Sequence, residues 1–366
     1  MQIGCTQKLL TYLKKEPMPV QPELDPFYSW TATLLTLHRH KTIVVVHDAS
    51  RCGFVLYGVT NKMLKNLNQL LLEGMQAMLE EEGIAPEVVR KYLQDGGATL
   101  CYTKTKDRSA VARLNKFSEN VEFRAEKLCE DTLLQPQLLC QLNDDMIHVG
   151  KEYRFTRQLL RYEFAAHYPN QTVFACPMVT LDIRLHLKTP CHRRVRMPLR
   201  QSLHEFHNIL QILFGWKQYH LHEFVLEPGQ PLEMTMPQYS QFAQLDDWGN
   251  TDAEPMEWYI SLAEVLEQYP HFWYVYDYGD DWEHEITLVS RETDTEFSAP
   301  QCILAVGNAP PENVGGPDGY AALQELLKYP ARNGYAEAKR WLEESGWKPL
   351  NMEELQEKLR TQGRLW

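Results

Sequence analysis

The chain has no Cys-x-x-Cys pair, no apolar run of membrane-spanning length, and no lysine or arginine between Tyr274 and Glu285. Each absence excludes something. The eight cysteines are scattered from Cys5 to Cys302, a pattern that fits reduced thiols and argues against a disulfide framework or a zinc knuckle. The longest strongly apolar runs, such as Ile43–Val46, are of strand length, so no membrane span is expected. The opening Met1-Gln2-Ile3-Gly4-Cys5 lacks a basic segment followed by an apolar one, and no secretory signal is expected. Also missing are a Gly-x-Ser-x-Gly elbow, a P-loop, a His-Glu-x-x-His pair, a dinucleotide fingerprint, internal repeats and low-complexity tracts. These absences lead to the expectation of a soluble, cytoplasmic protein with no ready-made catalytic signature.

What is present points to two domains. At 366 residues the chain exceeds one small core. Its net charge of −12, from 37 basic and 49 acidic residues, argues against whole-surface attraction to nucleic acid or anionic lipid. Four prolines between Pro17 and Pro26 read as an extended connector. Trp30 to Val59 predicts a three-strand meander, with turns at Arg39–Lys41 and Asp48–Gly53. Leu64, Leu67, Leu71, Met75 and Met78 predict a helix over 61–82, ended by Gly83, and Pro86 opens another. A strand over 98–103 and helices over 109–134 and 155–167 complete the first half.

The pattern returns to strands near Tyr168-Pro169-Asn170, which sets the expected boundary: domains 1–168 and 169–366. Val179–Leu187 alternates strictly, Arg193–Met197 is a second strand, and Ser202-Leu203-His204-Glu205 is a capping box opening a helix that stops near Gly215. Strands over 219–226, 272–278 and 282–289 follow, then helices over 319–328, 334–345 and 352–360. This order predicts an α+β class: a mixed sheet with a helix across one face, β-grasp-like, and a helical C-terminal extension.

The segment Tyr274–Glu285 is the most informative. It holds five carboxylates, four aromatics and His284 in twelve residues. Unpaired charge is costly to bury whereas aromatic rings favour burial, so the segment belongs at a half-buried edge where its acids have partners.

Four segments together resemble one family. They are Arg193–Pro198; Leu203-His204 with Phe214-Gly215-Trp216 and His220–Phe224; Tyr276–His284; and Pro310–Gly316 with Gly319-Tyr320. In this order and spacing, over about residues 175–350, the chain resembles the domain named after the third open reading frame of a root-inducing plasmid. The resemblance implies an α+β fold and an association with plasmids and insertion elements in bacteria and archaea, some members being called transposon passengers or resolvase-like. It implies no established activity. The family's Pro-Pro-Glu-Asp-x-Gly-Gly reads Asn313 in place of the acid here. An acid acting there as metal ligand or base is therefore lost in this chain. The N-terminal part, opening Cys5-Thr6-Gln7-Lys8-Leu9, resembles a small bacterial domain of unknown function.

Three constellations carry candidate chemistry. His220 and His222, two apart on a strand, with Asp277, Asp280, His284 and Glu312, offer nitrogen and oxygen donors for a divalent metal such as Mn, Zn or Fe, or for acid–base work. Against this, His284 shares a strand face with Trp282, Ile286 and Leu288, as a core histidine would. Arg194 and Arg196 share a strand face, and with the backbone of Gly315 and Gly316 they offer a phosphate site. The competing reading pairs these arginines with the acidic strand across the sheet. Finally, Trp248, Trp258, Tyr259 and Phe272–Tyr278 are either core or an exposed face suited to a protein, peptide or nucleobase partner. Function is thus expected to be a ligand- or partner-binding module. The alternatives are a metal-dependent phosphate-ester or nucleotide hydrolase and a DNA-recombination accessory.

Overall fold

Patterned strands and capped helices fold this chain, in a computed structural model, into two compact units, Met1–Cys176 and Pro177–Trp366. The structure describes residues 1–362 apart from 98, 131, 144, 150–151, 231, 236–256, 258–259 and 297–298. The division falls at the end of a proline- and aromatic-bearing stretch rather than at Tyr168. Residues 173–175 still belong to the first unit, since Ala85 and Ala175 exchange backbone bonds with Val173 and Gly83.

The first unit opens with β1 (Gln2–Cys5) and α1 (Gln7–Leu13), neither of which the sequence reading anticipated. The meander follows as β2 (Ser29–Leu37), β3 (His40–His47) and β4 (Gly53–Leu56). Its first turn uses His38 and Arg39 at φ 45° and 70°. Then come α2 (Leu67–Glu81), α3 (Pro86–Asp95), β5 (Cys101–Lys104) and α4 (Arg108–Phe123). The sheet order is β4-β3-β2-β1-β5, with β1 parallel to both neighbours and buried along its length. Helix α4 stops well before residue 134. A short turn after it drops Leu128 into the cluster that already holds Leu114 and Val121. The unit ends with α5 (Pro136–Leu142), the hairpin β6 (Met146–Val149) and β7 (Glu152–Phe155), and α6 (Thr156–His167).

The second unit is built on the hairpin of β8 (Cys176–Leu185) and β9 (Cys191–Pro198). Their antiparallel register sets Leu181 opposite Val195 and Asp182 opposite Arg194. Ser202 and Glu205 cap each other reciprocally and open α7 (Leu203–Phe214), which Gly215 ends at φ 72°. Next are β10 (His222–Val225), the short α8 (Leu232–Thr235) and α9 (Leu262–Gln268), the last opened by a second capping box at Ser261. Strands β11 (His271–Tyr276), β12 (Trp282–Asp294) and β13 (Gln301–Val306) complete a sheet ordered β10-β11-β12-β8-β9-β13. Helices α10 (Gly316–Leu327), α11 (Tyr335–Ser345) and α12 (Met352–Gln362) form the C-terminal extension.

The α+β class expected from the sequence is the one found. Val179, Leu181 and Ile183 of β8 share one core with Phe206, Leu210 and Leu213 of α7, so the helix covers the sheet's inner face. Burying each such side chain contributes about 1.5–3 kcal/mol. Phe272, Tyr274 and Tyr276 alternate into this core, which makes them packing residues, whereas Tyr278 is 54% exposed. Trp248, Trp258 and Tyr259 lie outside the described residues. Among the described residues no helix is long and apolar enough to cross a membrane, and Cys5, Cys52, Cys101, Cys129, Cys176, Cys191 and Cys302 carry free thiols.

Candidate functional site

Asp277 organises the acid turn at the end of β11. Its backbone sits at φ 59°, and its Oδ1 accepts the N–H of Gly279 at 3.0 Å, while its carbonyl accepts the N–H groups of Asp280 and Asp281. Asp280 in turn accepts the N–H of Gly315 at 3.3 Å. A Cβ on Gly316 would lie 2.8 Å from the Asp280 carbonyl oxygen, at a φ of 69°. The two glycines therefore clamp the acid turn to the Pro310–Gly316 loop. Gly315 has thus given to Asp280 the N–H that was expected to face a phosphate.

The acid turn and the double-proline loop meet at one imidazole. His220 Nε2 lies 3.4 Å from both Asp277 Oδ2 and Glu312 Oε2, without a well-aligned hydrogen bond to either. Glu312 accepts the Lys217 N–H at 2.7 Å and the Tyr276 hydroxyl at 3.2 Å. Burial first, and then the Glu312 charge, hold the Tyr276 phenol well above its ordinary range, so it is a neutral donor. Asn313 stands at φ 59°, a left-handed conformation that asparagine tolerates well. The chain keeps the turn while lacking the acid.

His222 goes elsewhere, which corrects the shared-face expectation. Strand β10 begins only at His222, because Gln218 turns at φ 60° and Tyr219 and Leu221 are exposed. His222 reaches inward under α7, bonding Glu257 at 2.7 Å and stacking on His207 with centroids 3.6 Å apart. His204 bonds the other Glu257 oxygen at 3.0 Å. Burial opposes ionisation of Glu257, but the two imidazoles outweigh it and pull the carboxyl down to about 2. Burial and then the His222 charge push His207 down to about 3, and its Nδ1 shares a 2.7 Å bond with the Tyr274 hydroxyl. This network escaped the sequence reading. His204 and His207 sit one turn apart on a capped helix, which is a visible signal, but Glu257 is far away in sequence.

His284 is likewise removed from the acids. It is fully buried, edge-on to Phe214 and Trp216, with Nδ1 on the Tyr274 carbonyl at 3.1 Å. Burial pushes it down to about 3. It is a neutral core imidazole, so Asp277, Asp280, His222 and His284 do not converge. Among the described residues no group of three or more histidine, cysteine, aspartate or glutamate side chains is arranged to hold a metal ion. Of the metal candidates read from the sequence, His220, Asp277 and Glu312 are the ones that meet, at 3.4 Å.

The arginines of β9 divide by strand alternation. Arg194 forks onto Asp182, its cross-strand partner, with Nη2 to Oδ2 at 3.0 Å; this bonding holds the Asp182 carboxyl below its usual range. Arg196 pairs with Glu292 and Asp294. Both are therefore committed to carboxylates rather than open to phosphate, and their partners are not those of Asp277–Glu285. Glu285 bonds His271 instead, and His186 lies within 3.8 Å of Glu283 and Glu285. On the opposite face, Cys191, Arg193, Val195 and Met197 point into the core. A charged residue at a core-facing position of an alternating strand is a legible signal.

Arg193 lines a cleft of about 430 Å³ with Trp216, Pro310, Glu312, Trp347 and Leu355. The end of α7, the double-proline loop and the C-terminal helices build its walls. Two indoles fix the loop: Trp216 donates to the Pro310 carbonyl at 3.0 Å and Trp347 to that of Ala309 at 2.8 Å. Glu312 belongs to both the acid turn's partners and the cleft rim. Asp277, Asp280 and His220 stand outside the cleft.

Residues 177–356 match the family described as plasmid pRiA4b ORF-3-like protein, and residues 2–158 match a domain of unknown function (DUF6933). The chain is 32% identical over 165 residues to the uncharacterized protein y4hQ of Sinorhizobium fredii (strain NBRC 101917 / NGR234), covering 44% of this chain and 77% of that one. A protein of unknown function from Methanosarcina mazei Go1, known from a crystal structure, is 24% identical, with 49% of this chain and 97% of that one covered and a TM-score of 0.39. The motifs that converge at the cleft and acid turn all fall inside the matched C-terminal span, and by that span the chain belongs to the plasmid pRiA4b ORF-3-like protein family.

Proposed function

We propose that the second unit is a cytoplasmic ligand-binding module serving mobile-element biology, with the Trp216–Pro310–Trp347 cleft as its site. One observation carries this reading. Two of the family-like segments, Phe214–Trp216 and Pro310–Glu312, which are remote in sequence, wall a single concavity of a size that suits a small molecule. The plasmid association comes from the family description. A thermal-shift panel of metabolites against the full chain tests the binding. The expected result is at least one saturable stabiliser whose affinity falls about tenfold in Trp347→Ala, the loss of one aromatic wall. Stabilisers indifferent to Trp347→Ala, or none at all, would remove the cleft from consideration.

A metal-dependent phosphate-ester hydrolase is the second reading, favoured only by the meeting of His220 with Asp277 and Glu312 at 3.4 Å. Elemental analysis of the purified chain tests it: stoichiometric Mn, Zn or Fe lost in Glu312→Gln would support it, and metal content unchanged by Glu312→Gln would not.

A further inference from the structure

We infer that the cleft takes an oxyanion, a phosphate or carboxylate group carried on a flat or apolar body, and that Arg193 is the fixed charge that receives it. The inference rests on the cleft being the ligand site and adds the chemistry of the occupant.

The first ground is an uncancelled buried cation. Arg193 is 1% exposed. Its Nε donates to the Leu213 carbonyl at 3.0 Å, and Nη1 to the carbonyls of His192 and Val306, both at 2.9 Å. The guanidinium carbon lies 5.3 Å from the Phe214 ring centroid. The Cys191 side chain is a further polar neighbour of the guanidinium. Among the described residues no carboxylate is within ion-pair distance of it. Carbonyl dipoles and the C-terminal end of α7 offset part of the desolvation cost. They supply no counter-charge. Its neighbours Arg194 and Arg196 each have a carboxylate, so Arg193 is the exception on its own strand.

The second ground is the charge of the walls. In a chain of net charge −12, the cleft lining carries Arg193, Lys217, Lys348 and Lys358 against Glu312 and Glu354. Lys358 is matched by Glu354 at 3.1 Å, and Lys217 Nζ donates to the Ser345 carbonyl at 3.0 Å. Glu312 already accepts from the Lys217 N–H and Tyr276. Lys348 has no carboxylate at ion-pair distance among the described residues. The concavity is thus locally cationic, and low-dielectric walls strengthen the attraction of an anion. Leu213, Phe214, Trp216, Pro310 and Leu355 supply the apolar surface for the rest of the ligand.

Isothermal titration of the full chain at low salt with phenyl phosphate, benzoate and benzyl alcohol tests the inference. One or both anions should bind saturably, with benzyl alcohol at least roughly tenfold weaker. Tighter binding of phenyl phosphate assigns the site to phosphate esters, and tighter benzoate assigns it to carboxylates. Lys348→Glu, at an exposed position, should weaken anion binding roughly threefold to tenfold and leave benzyl alcohol unchanged. Arg193→Gln should abolish anion binding, and Lys348→Glu keeps the test sound should that core variant fail to fold. Equal binding of benzyl alcohol overturns the anion inference while the cleft remains a ligand site. Anion binding indifferent to Lys348→Glu, or neither anion binding by about 10 mM, overturns it as well and leaves Arg193 as a cap for α7.

Discussion

Replacing His284 with phenylalanine asks whether that imidazole belongs to the core or to a reactive site. In the folded chain burial pushes His284 from 6.5 down to about 3. The unfolded chain takes up its proton near 6.5, so folded-state stability falls as pH drops from 6.5 towards 3. At about pH 5 the penalty is roughly 2 kcal/mol, at 1.36 kcal/mol per pH unit of the interval. The phenylalanine variant loses the 3.1 Å bond to the Tyr274 carbonyl, worth about 1 kcal/mol, and also removes a buried Nε2 without a partner. It should therefore be within about 1–2 kcal/mol of the parent near pH 8. It should then close that gap by about 2 kcal/mol near pH 5. His207 behaves similarly but is common to both proteins and cancels. Urea titration followed by tryptophan emission reads the second unit, since only Trp30 of the nine tryptophans lies outside it. An unchanged pH slope would show that His284 is protonated in the fold, which contradicts a neutral core role.

Three further outcomes follow from the same geometry. Glu257→Gln should cost roughly 2–3 kcal/mol near neutral pH. Glu257 titrates at about 2 instead of 4.5, so its stabilisation is complete above 4.5 and lost as pH falls through 2; denaturation curves at stepped pH should show the variant converging on the parent in acid. Gly316→Ala should destabilise by about 1–3 kcal/mol, because the added Cβ meets the Asp280 carbonyl oxygen at a positive φ; an unchanged melting point would remove the clamp. In Arg194→Ala, carboxyl NMR should show the Asp182 pKa rising, since the Arg194 bond is the first cause of its depression; a static Asp182 resonance would contradict this.

The elements that short-range patterns specify were legible in the sequence. The Ser202–Glu205 box and Gly215 bracket α7 as read, because both ends are satisfied by local bonds. The alternation of β8 was equally plain. Strand β13 was not, since its edge position leaves Ile303, Leu304 and Val306 exposed and its pairing with β9 is irregular, which erases a period of two. The four-residue β1 is too short for any period to show. At the candidate site, the sequence groups His220, Asp277 and Glu312 with His222, Asp280 and His284, and only the first three meet; the Trp282–Ile286 face of His284 also allows a core histidine. The separation of His222 depended on Glu257, a long-range partner that no local pattern marks. Arg193 was there to be read from the alternation of β9, but its open cleft depends on helices α11 and α12, far along the chain.

The most direct test of the cleft as the ligand site is backbone hydrogen exchange of the full chain with and without the tightest binder of the metabolite panel. Slowed exchange confined to residues 213–217, 309–312 and 345–350 is the result predicted here. Protection elsewhere in the chain, with those three segments unchanged, would contradict it.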